Sequence, residues 1–354
     1  ASPKVRLSYR RVLHFMRCSL ACCSSTGRAF RQSQSNSDGH YMSAVDDHSQ
    51  LGEQVIRTLL YFDIFNYPLK AGEIFNFLRV ERKDPTDVSE CLEALTEQQH
   101  VFRFGDLYSL HANEHDVKRR LQGNREAERC LSMAMKRARV IGRFPFVRGV
   151  MASGSLSKGY MDENSDFDFF IVTAPGRLWI ARTMLVLFKR IFLKNSHKRF
   201  CVNYFVDEAH LEIDEKNLFT ATELATLIPL HNHSAYEALI SSNRWVTEYF
   251  PNFRPRRRYD TNASTVSVVG QVFEFLLSPF SFWIDPFLMK ISSRRWRRLY
   301  ATRYEKQDFE IAFKTKRHVS KNHPNYYQKR VLDLYQRKLR EYQHRLAEVH
   351  TARL

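Results

Sequence analysis

An α/β fold, in which a mixed-sheet domain carries a helical module on either side, is what this sequence predicts. Three observations lead there. Between residues 146 and 235, apolar runs of strand length alternate with a long apolar helical pattern. Ahead of them, residues 51–111 read as three helices and a hairpin. Behind them the chain turns basic and helical in pattern.

Residues 1–41 stand apart, with seven Lys/Arg and no acid up to residue 37 and no sustained apolar periodicity. That composition suits a disordered tail, an organellar transit segment or a non-native extension with Met42 as the natural first residue. Fold reasoning therefore starts at residue 42.

The module over 42–112 follows from local signals. "LGEQVIRTLLYF" has helical spacing, and "LKAGEIFNFL" follows the breaker Asn66-Tyr67-Pro68. In "DPTDVSECLEALTEQQH", Asp84 sits at the N-cap position with Pro85 at the first helical position. "VFRFGDLYSL" places two short apolar runs around Gly105-Asp106, a hairpin signal. Helix, helix, helix, hairpin is the winged-helix order, which points to DNA. The third helix speaks against that use. Asp84, Asp87, Glu90, Glu93 and Glu97 line one face opposite Val88, Cys91, Leu92 and Leu95, and an acidic stripe is repelled by phosphates. A packing or protein-contact role is the expectation for this winged-helix-like module.

A long polar helix over 113–145, helical from 114 to 142, connects to the mixed-sheet domain at 146–250. There "FVRGVMAS", "DFDFFIVT" and "RFCVNYFV" read as strands, "HLEI" as a further strand, and "GRLWIARTMLVLFKRIFLK" as a helix. Beyond about residue 217 the pattern is helical, with the break "PNFRPRRRYD" opening a basic helical domain at 251–354. The stretch "VFEFLLSPFSFWIDPFLMKI" (272–291) is very apolar but holds Glu274, Asp285, Lys290 and two prolines, so a buried helix pair is expected rather than a membrane span, with a role at a membrane surface as the alternative.

Charge is unevenly spread. Residues 42–253 carry 26 Lys/Arg against 28 Asp/Glu, whereas 254–354 carry 22 against 9. The basic third suits RNA or another polyanion, with the arginines at 256–258 and 294–298, and Trp296 among the latter, as candidates for backbone contact and base stacking. Of six cysteines, Cys18, Cys22 and Cys23 crowd the N-terminal extension and Cys91, Cys130 and Cys201 are scattered; without a Cys-x-x-Cys pair they argue for a reducing compartment and against a zinc site. The expected location is cytoplasmic, or organellar if 1–41 is a transit segment.

The chemistry concentrates in "MASGSLSKGYMDENSDFDFFIVT" (151–173). Alternation in a strand puts Asp166 and Asp168 on one face and Phe167 and Phe169 on the other. Two adjacent carboxylates repel unless a cation neutralises them, and such an oxygen pair suits Mg²⁺ together with substrate phosphates. Gly154-Ser155, at a strand-to-helix turn, offers backbone N–H groups and close approach to a phosphate. Together these make a nucleoside triphosphate site whose metal rests on the Asp pair. Lys158 adds either a phosphate contact or a surface charge.

"GSLSKGYMDENSDFDF" resembles the signature of the polymerase-β-like nucleotidyltransferase superfamily, in the form seen in stand-alone bacterial domains. Gly154, Ser155, Asp166, Phe167, Asp168 and Phe169 match it in order. The resemblance implies Mg²⁺-dependent transfer of a nucleoside monophosphate from an NTP to an acceptor. It makes Asp166 and Asp168 the catalytic metal ligands for up to two Mg²⁺, with Gly154, Ser155 and Lys158 on the phosphates. It also implies a third carboxylate on a later strand, where this chain has Asn203; Asp207 and Glu212 lie further on. Two other readings stand beside it: a catalytically degenerate nucleotide-binding or sensing protein, and a winged-helix nucleic-acid-binding regulator.

Overall fold

The computed structural model describes residues 37–193, 200–256, 267–323 and 326–351. The protein is mixed α/β, about 60% helical and 13% strand among the described residues, and divides into two compact units that do not follow linear order. Among the described residues, one takes those up to 120, 247–253 and those from 331 on; the other takes those within 121–246 and 254–330. Of the expected 1–41 extension, residues 37–41 open the first helix and the rest lie outside the described residues.

The first unit runs α1 (Ser37–Asp63), β1 (Leu69–Lys70), α2 (Ala71–Phe77), α3 (Pro85–Glu97), β2 (Phe102–Phe104) and β3 (Leu107–Ser109). Asp84 caps α3 by accepting from Thr86 N at 2.9 Å, and Val88, Cys91, Leu92 and Leu95 are its buried stripe. Gly105, with φ +65°, makes the tight turn of the β2–β3 hairpin, and β1 pairs with β3 to complete a three-stranded sheet. Arg120, nearly fully buried, forks onto Glu73 at 2.7 and 2.9 Å and lies 4.2 Å over the Tyr67 ring. A guanidinium buried in this way holds only with its hydrogen bonds satisfied, and the Pro68 carbonyl accepts from it as well.

Helix α4 (Glu114–Gly142) leads into β4 (Val147–Ser153), the one-turn helix α5 (Gly154–Ser157), β5 (Asp168–Thr173), α6 (Leu178–Phe192) and β6 (Cys201–Asp207). Then come α7 (Leu218–Thr226), β7 (Ile228–His231), α8 (His233–Ser242) and the short α9 (Val246–Tyr249). Helices α10 (Val268–Leu277) and α11 (Ser281–Tyr300) are joined by a 3₁₀ turn, and α12 (Lys306–Ala312), β8 (Thr315–Lys316), β9 (Val319–Lys321) and α13 (Tyr327–Thr351) finish the chain. The second unit's sheet has the order β7-β4-β5-β6-β9-β8, with β5 and β6 parallel and the other pairs antiparallel. A parallel pair requires a crossover, and α6 supplies it. Phe167, Phe169, Ile171, Trp179, Leu185, Phe200 and Phe205 form the core beneath.

The structure corrects the sequence expectations at four places. "HLEI" is not a strand: Asn243 takes the part of a strand partner, accepting from Ile213 N and donating to the Leu211 carbonyl, both at 2.8 Å. Helix does not fill the chain beyond 217, because β7, β8 and β9 all join the sheet. Strand β7 lies at an edge, where a residue without a backbone N–H such as Pro229 is tolerated. The 272–291 stretch is not a buried pair; Phe275, Trp283 and Phe287 are 80%, 67% and 62% exposed. Trp296, a candidate in the sequence for stacking on a base or for a solvated helix surface, is buried against Trp179 and Phe313 with the Arg182 guanidinium 4.7 Å over its ring.

Candidate active site

The Gly-Ser turn and the Asp pair meet at one end of the sheet because β4 and β5 pair with Ser153 opposite Asp168. The chain turns at Gly154 with φ +63°, a conformation that costs an L-residue about 1 kcal/mol or more. A side chain there would also overlap the Asp168 carboxylate, standing 3.2 Å from Cγ and closer still to Oδ2. The two halves of the motif are therefore in direct van der Waals contact. Asp166 lies in the extended approach to β5 rather than within it, yet alternation holds: Phe167 and Phe169 are buried in the core while Asp166 and Asp168 are partly exposed.

The loop between the halves is ordered by α4. Met161 N donates to the Gly123 carbonyl at 3.0 Å, and Asn124 donates to the carbonyl of Gly159, itself at φ +70°. Asp162 closes the loop on itself, accepting from Asn164 N at 3.0 Å and Ser165 Oγ at 2.8 Å. With α5 only four residues long, its dipole is slight; what the turn offers is its first N–H groups, which lack helical partners.

Lys158 is not a solvated surface charge. Its ammonium is 2.7 Å from Glu223 of α7 and donates to the Gly154 carbonyl at 3.1 Å. Ser157 Oγ donates to the same carbonyl at 2.8 Å. Both contacts brace the turn from the sides of α5 and α7.

At the expected third-ligand position stands Asn203. A bulge between Phe169–Phe170 and Val202–Tyr204 makes Asn203 the extra residue on β6, and bulges re-aim side chains in this way. Its Nδ2 donates to Asp168 Oδ1 at 3.1 Å. Asp207 lies at the far end of β6, buried, accepting from Ala209 N at 3.1 Å and paired with His210. Glu212 is exposed and pairs with Lys216 at 2.7 Å. Neither reaches the Asp pair.

The local field is negative. Burial pushes the Asp168 carboxyl up to about 7, a hydrogen bond from the Cys201 thiol opposes this, and the charges of Asp166 and Glu223 add to the rise. Cys201, opposite Asp168 in the parallel register, is itself pushed up to about 12 by burial and by Asp168, so it remains a thiol that donates. Burial lowers the Lys189 ammonium of α6 while nearby Cys201 and Asp166 draw it back up. Glu223 and Lys189 went unnoticed as site residues in the sequence, since Glu223 reads as the single charge of α7 and Lys189 as one of three cations in the apolar α6, and nothing in their spacing ties them to β5.

Asp166 and Asp168, near enough for the charge of Asp166 to raise the Asp168 carboxyl, are oxygen donors of the kind a divalent metal takes. Among the described residues no cluster of three or more His, Cys, Asp or Glu gathers as a complete metal cage. A two-carboxylate seat matches Mg²⁺ that takes its remaining oxygens from phosphate and water. Compared with protein-family models, curated proteins and solved structures, the chain matches none.

Proposed function

We propose that the second unit is a polymerase-β-like, Mg²⁺-dependent nucleotidyltransferase, moving a nucleoside monophosphate from an NTP to an acceptor hydroxyl or phosphate. The observation that carries this reading is the contact between the left-handed Gly154 turn and the Asp168 carboxylate. It puts a backbone suited to phosphate beside a carboxylate suited to its metal.

In this reading Asp166 and Asp168 hold the metal. Mg²⁺, when bound, neutralises the triphosphate and polarises the α-phosphorus for attack. Gly154 and Ser155 admit the β- and γ-phosphates to the turn. Lys158, already aimed at the turn carbonyl, adds positive charge beside them. An acceptor oxygen bonds to the α-phosphorus, the bond to the β-phosphate bridging oxygen breaks, and pyrophosphate leaves. An acceptor hydroxyl's proton passes to solvent, because the Asn203 amide takes none. Positioning and charge neutralisation supply most of the rate. The Cys201 hydrogen bond needs a thiol, so a reducing compartment such as the cytoplasm suits the site.

Asn203 favours a second reading, a nucleotide-binding sensor without transfer. A neutral amide donating to Asp168 leaves one metal position short of a ligand. The first unit, with its winged-helix element order, is read as a protein-contact module, because Asp84, Glu90, Glu93 and Glu97 of α3 and its cap are exposed acids facing any phosphate backbone. Pyrophosphate release measured with each NTP across RNA, protein and small polyol acceptors separates the readings. Release that needs Mg²⁺ and stops in Asp166→Ala supports transfer. Tight NTP binding with no release on any acceptor selects the sensor.

A further inference from the structure

From Val268 to Arg303 the chain forms one continuous helical rod of 36 residues, the one described helix long and apolar enough to cross a membrane. Its apolar side is not turned to the protein. The inward stripe carries Gly270, Glu274, Ser281, Asp285 and Trp296. Glu274 forks onto Arg148 at 2.9 and 3.0 Å and accepts from Phe146 N. Asp285, fully buried, accepts from Trp179 N at 2.8 Å and Ile180 N at 3.1 Å. Trp296 packs into the core.

Outward, at helical spacing, stand Val269, Val272, Leu276, Phe280, Trp283 and Phe287, all at least 52% exposed. Phe275, at 80%, is the most exposed large apolar side chain among the described residues. One turn on, the same side becomes cationic: Lys290, Arg294, Arg295 and Arg298 are exposed, and no acid occurs between Lys290 and Arg303. Contiguous exposed apolar surface of this extent marks a contact site.

We infer that this outer face seats the protein on an anionic lipid bilayer, lying along the surface without crossing it. Crossing would detach Glu274, Asp285 and Trp296 from the domain and leave two carboxylates in hydrocarbon. Lying flat keeps all three ties and buries only what is already exposed. An aromatic and aliphatic strip continued by a run of arginines is the composition of interfacial helices, in which rings enter the headgroup boundary and cations meet anionic lipid. The charge complementarity selects a negatively charged bilayer over a neutral apolar partner. The two acids that argue against a membrane in the sequence both lie on the protein side.

The test uses the full chain with vesicles of phosphatidylcholine, alone or mixed with phosphatidylglycerol. Sedimentation with the mixed vesicles is expected, about tenfold weaker without the anionic lipid, and weakening as salt rises. Trp283 reports the face directly, since Trp179, Trp245 and Trp296 are only 0%, 6% and 5% exposed. A blue shift of its emission is expected on vesicle addition. Trp283→Phe should keep binding and lose the shift. Phe275→Ser/Phe287→Ser should weaken binding about tenfold with an unchanged far-UV circular dichroism spectrum. Arg294→Gln/Arg298→Gln should weaken binding to anionic vesicles and flatten its salt dependence. Absence of sedimentation overturns the inference, as does binding indifferent to both pairs of substitutions. A concentration-dependent dimer that shifts Trp283 without lipid also overturns it, assigning the face to a contact between copies. No nucleotide enters this test, so its outcome is independent of the transferase reading.

Discussion

Replacing Gly154 with alanine probes the joint between the two halves of the site. The structure separates two costs. The first is backbone: at φ +63° an alanine loses about 1 kcal/mol. The second is the collision with the Asp168 carboxylate. Relieving it swings the carboxylate away and breaks its 3.1 Å hydrogen bond from Asn203, worth about 2 kcal/mol for a charged acceptor. The total is about 3 kcal/mol, or a fall in Tm of about 9 °C for a unit of this size. Gly176→Ala is the control, with φ +65° but nothing within 4 Å of an added Cβ; it should cost the backbone share alone, about 1 kcal/mol. Urea unfolding of both variants, repeated in an Asp168→Ala background, completes a double-mutant cycle. There only the 3.3 Å approach to the residue 168 Cβ persists, so the cost of Gly154→Ala should drop to about 1 kcal/mol, a coupling of about 2 kcal/mol. Equal costs for Gly154→Ala and Gly176→Ala, or a cost unchanged by removing the carboxylate, would refute the reasoning.

Three further outcomes follow from the same geometry. Asp168 has a folded pKa of about 7, above the value near 4 of an unfolded chain. Its contribution is therefore full below about pH 4 and is lost as pH rises to about 7; allowing for partial exposure, metal-free unfolding free energy should fall by about 2 kcal/mol across that window, and Mg²⁺ should restore it at pH 8. Asn203→Asp adds a third carboxylate beside Asp168, so calorimetry should show Mg²⁺ binding about tenfold tighter, at a cost of about 1 kcal/mol in metal-free stability at pH 8. Asp285 caps α6 from another helix, and its carboxyl is raised to about 6 by burial. Asp285→Ala should cost about 2 kcal/mol in thermal unfolding by orphaning two N–H groups, while Asp285→Asn at pH 8 should be neutral or stabilising, since it keeps the acceptor and removes the buried charge.

What the sequence made legible was what local chemistry determines. The Asp84 cap, the 114–142 helix, the Gly105 hairpin and the strands around residues 147–153 and 168–173 follow from nearest-neighbour signals, and all are in place. The Gly154, Asp166 and Asp168 grouping was legible because one motif spells all three. Contributions from distant segments were not. Asn243 standing in for a strand partner of 211–213, the bulge aiming Asn203, and Glu223 reaching Lys158 from α7 each depend on tertiary placement. The 268–303 rod shows the limit most plainly. Composition reveals that it is apolar, but only the packed structure reveals that Glu274 and Asp285 face the domain and the aromatics face outward.

The most direct measurement is equilibrium dialysis of labelled NTP against the full chain, with and without Mg²⁺, in the wild type and in Asp166→Ala/Asp168→Ala. A site built from the Gly154 turn and the Asp pair predicts NTP binding that requires Mg²⁺ in the wild type and falls at least about tenfold in the double variant, whose stability at pH 8 is equal or higher. Binding that is indifferent to Mg²⁺, or that survives loss of both carboxylates, would contradict the account.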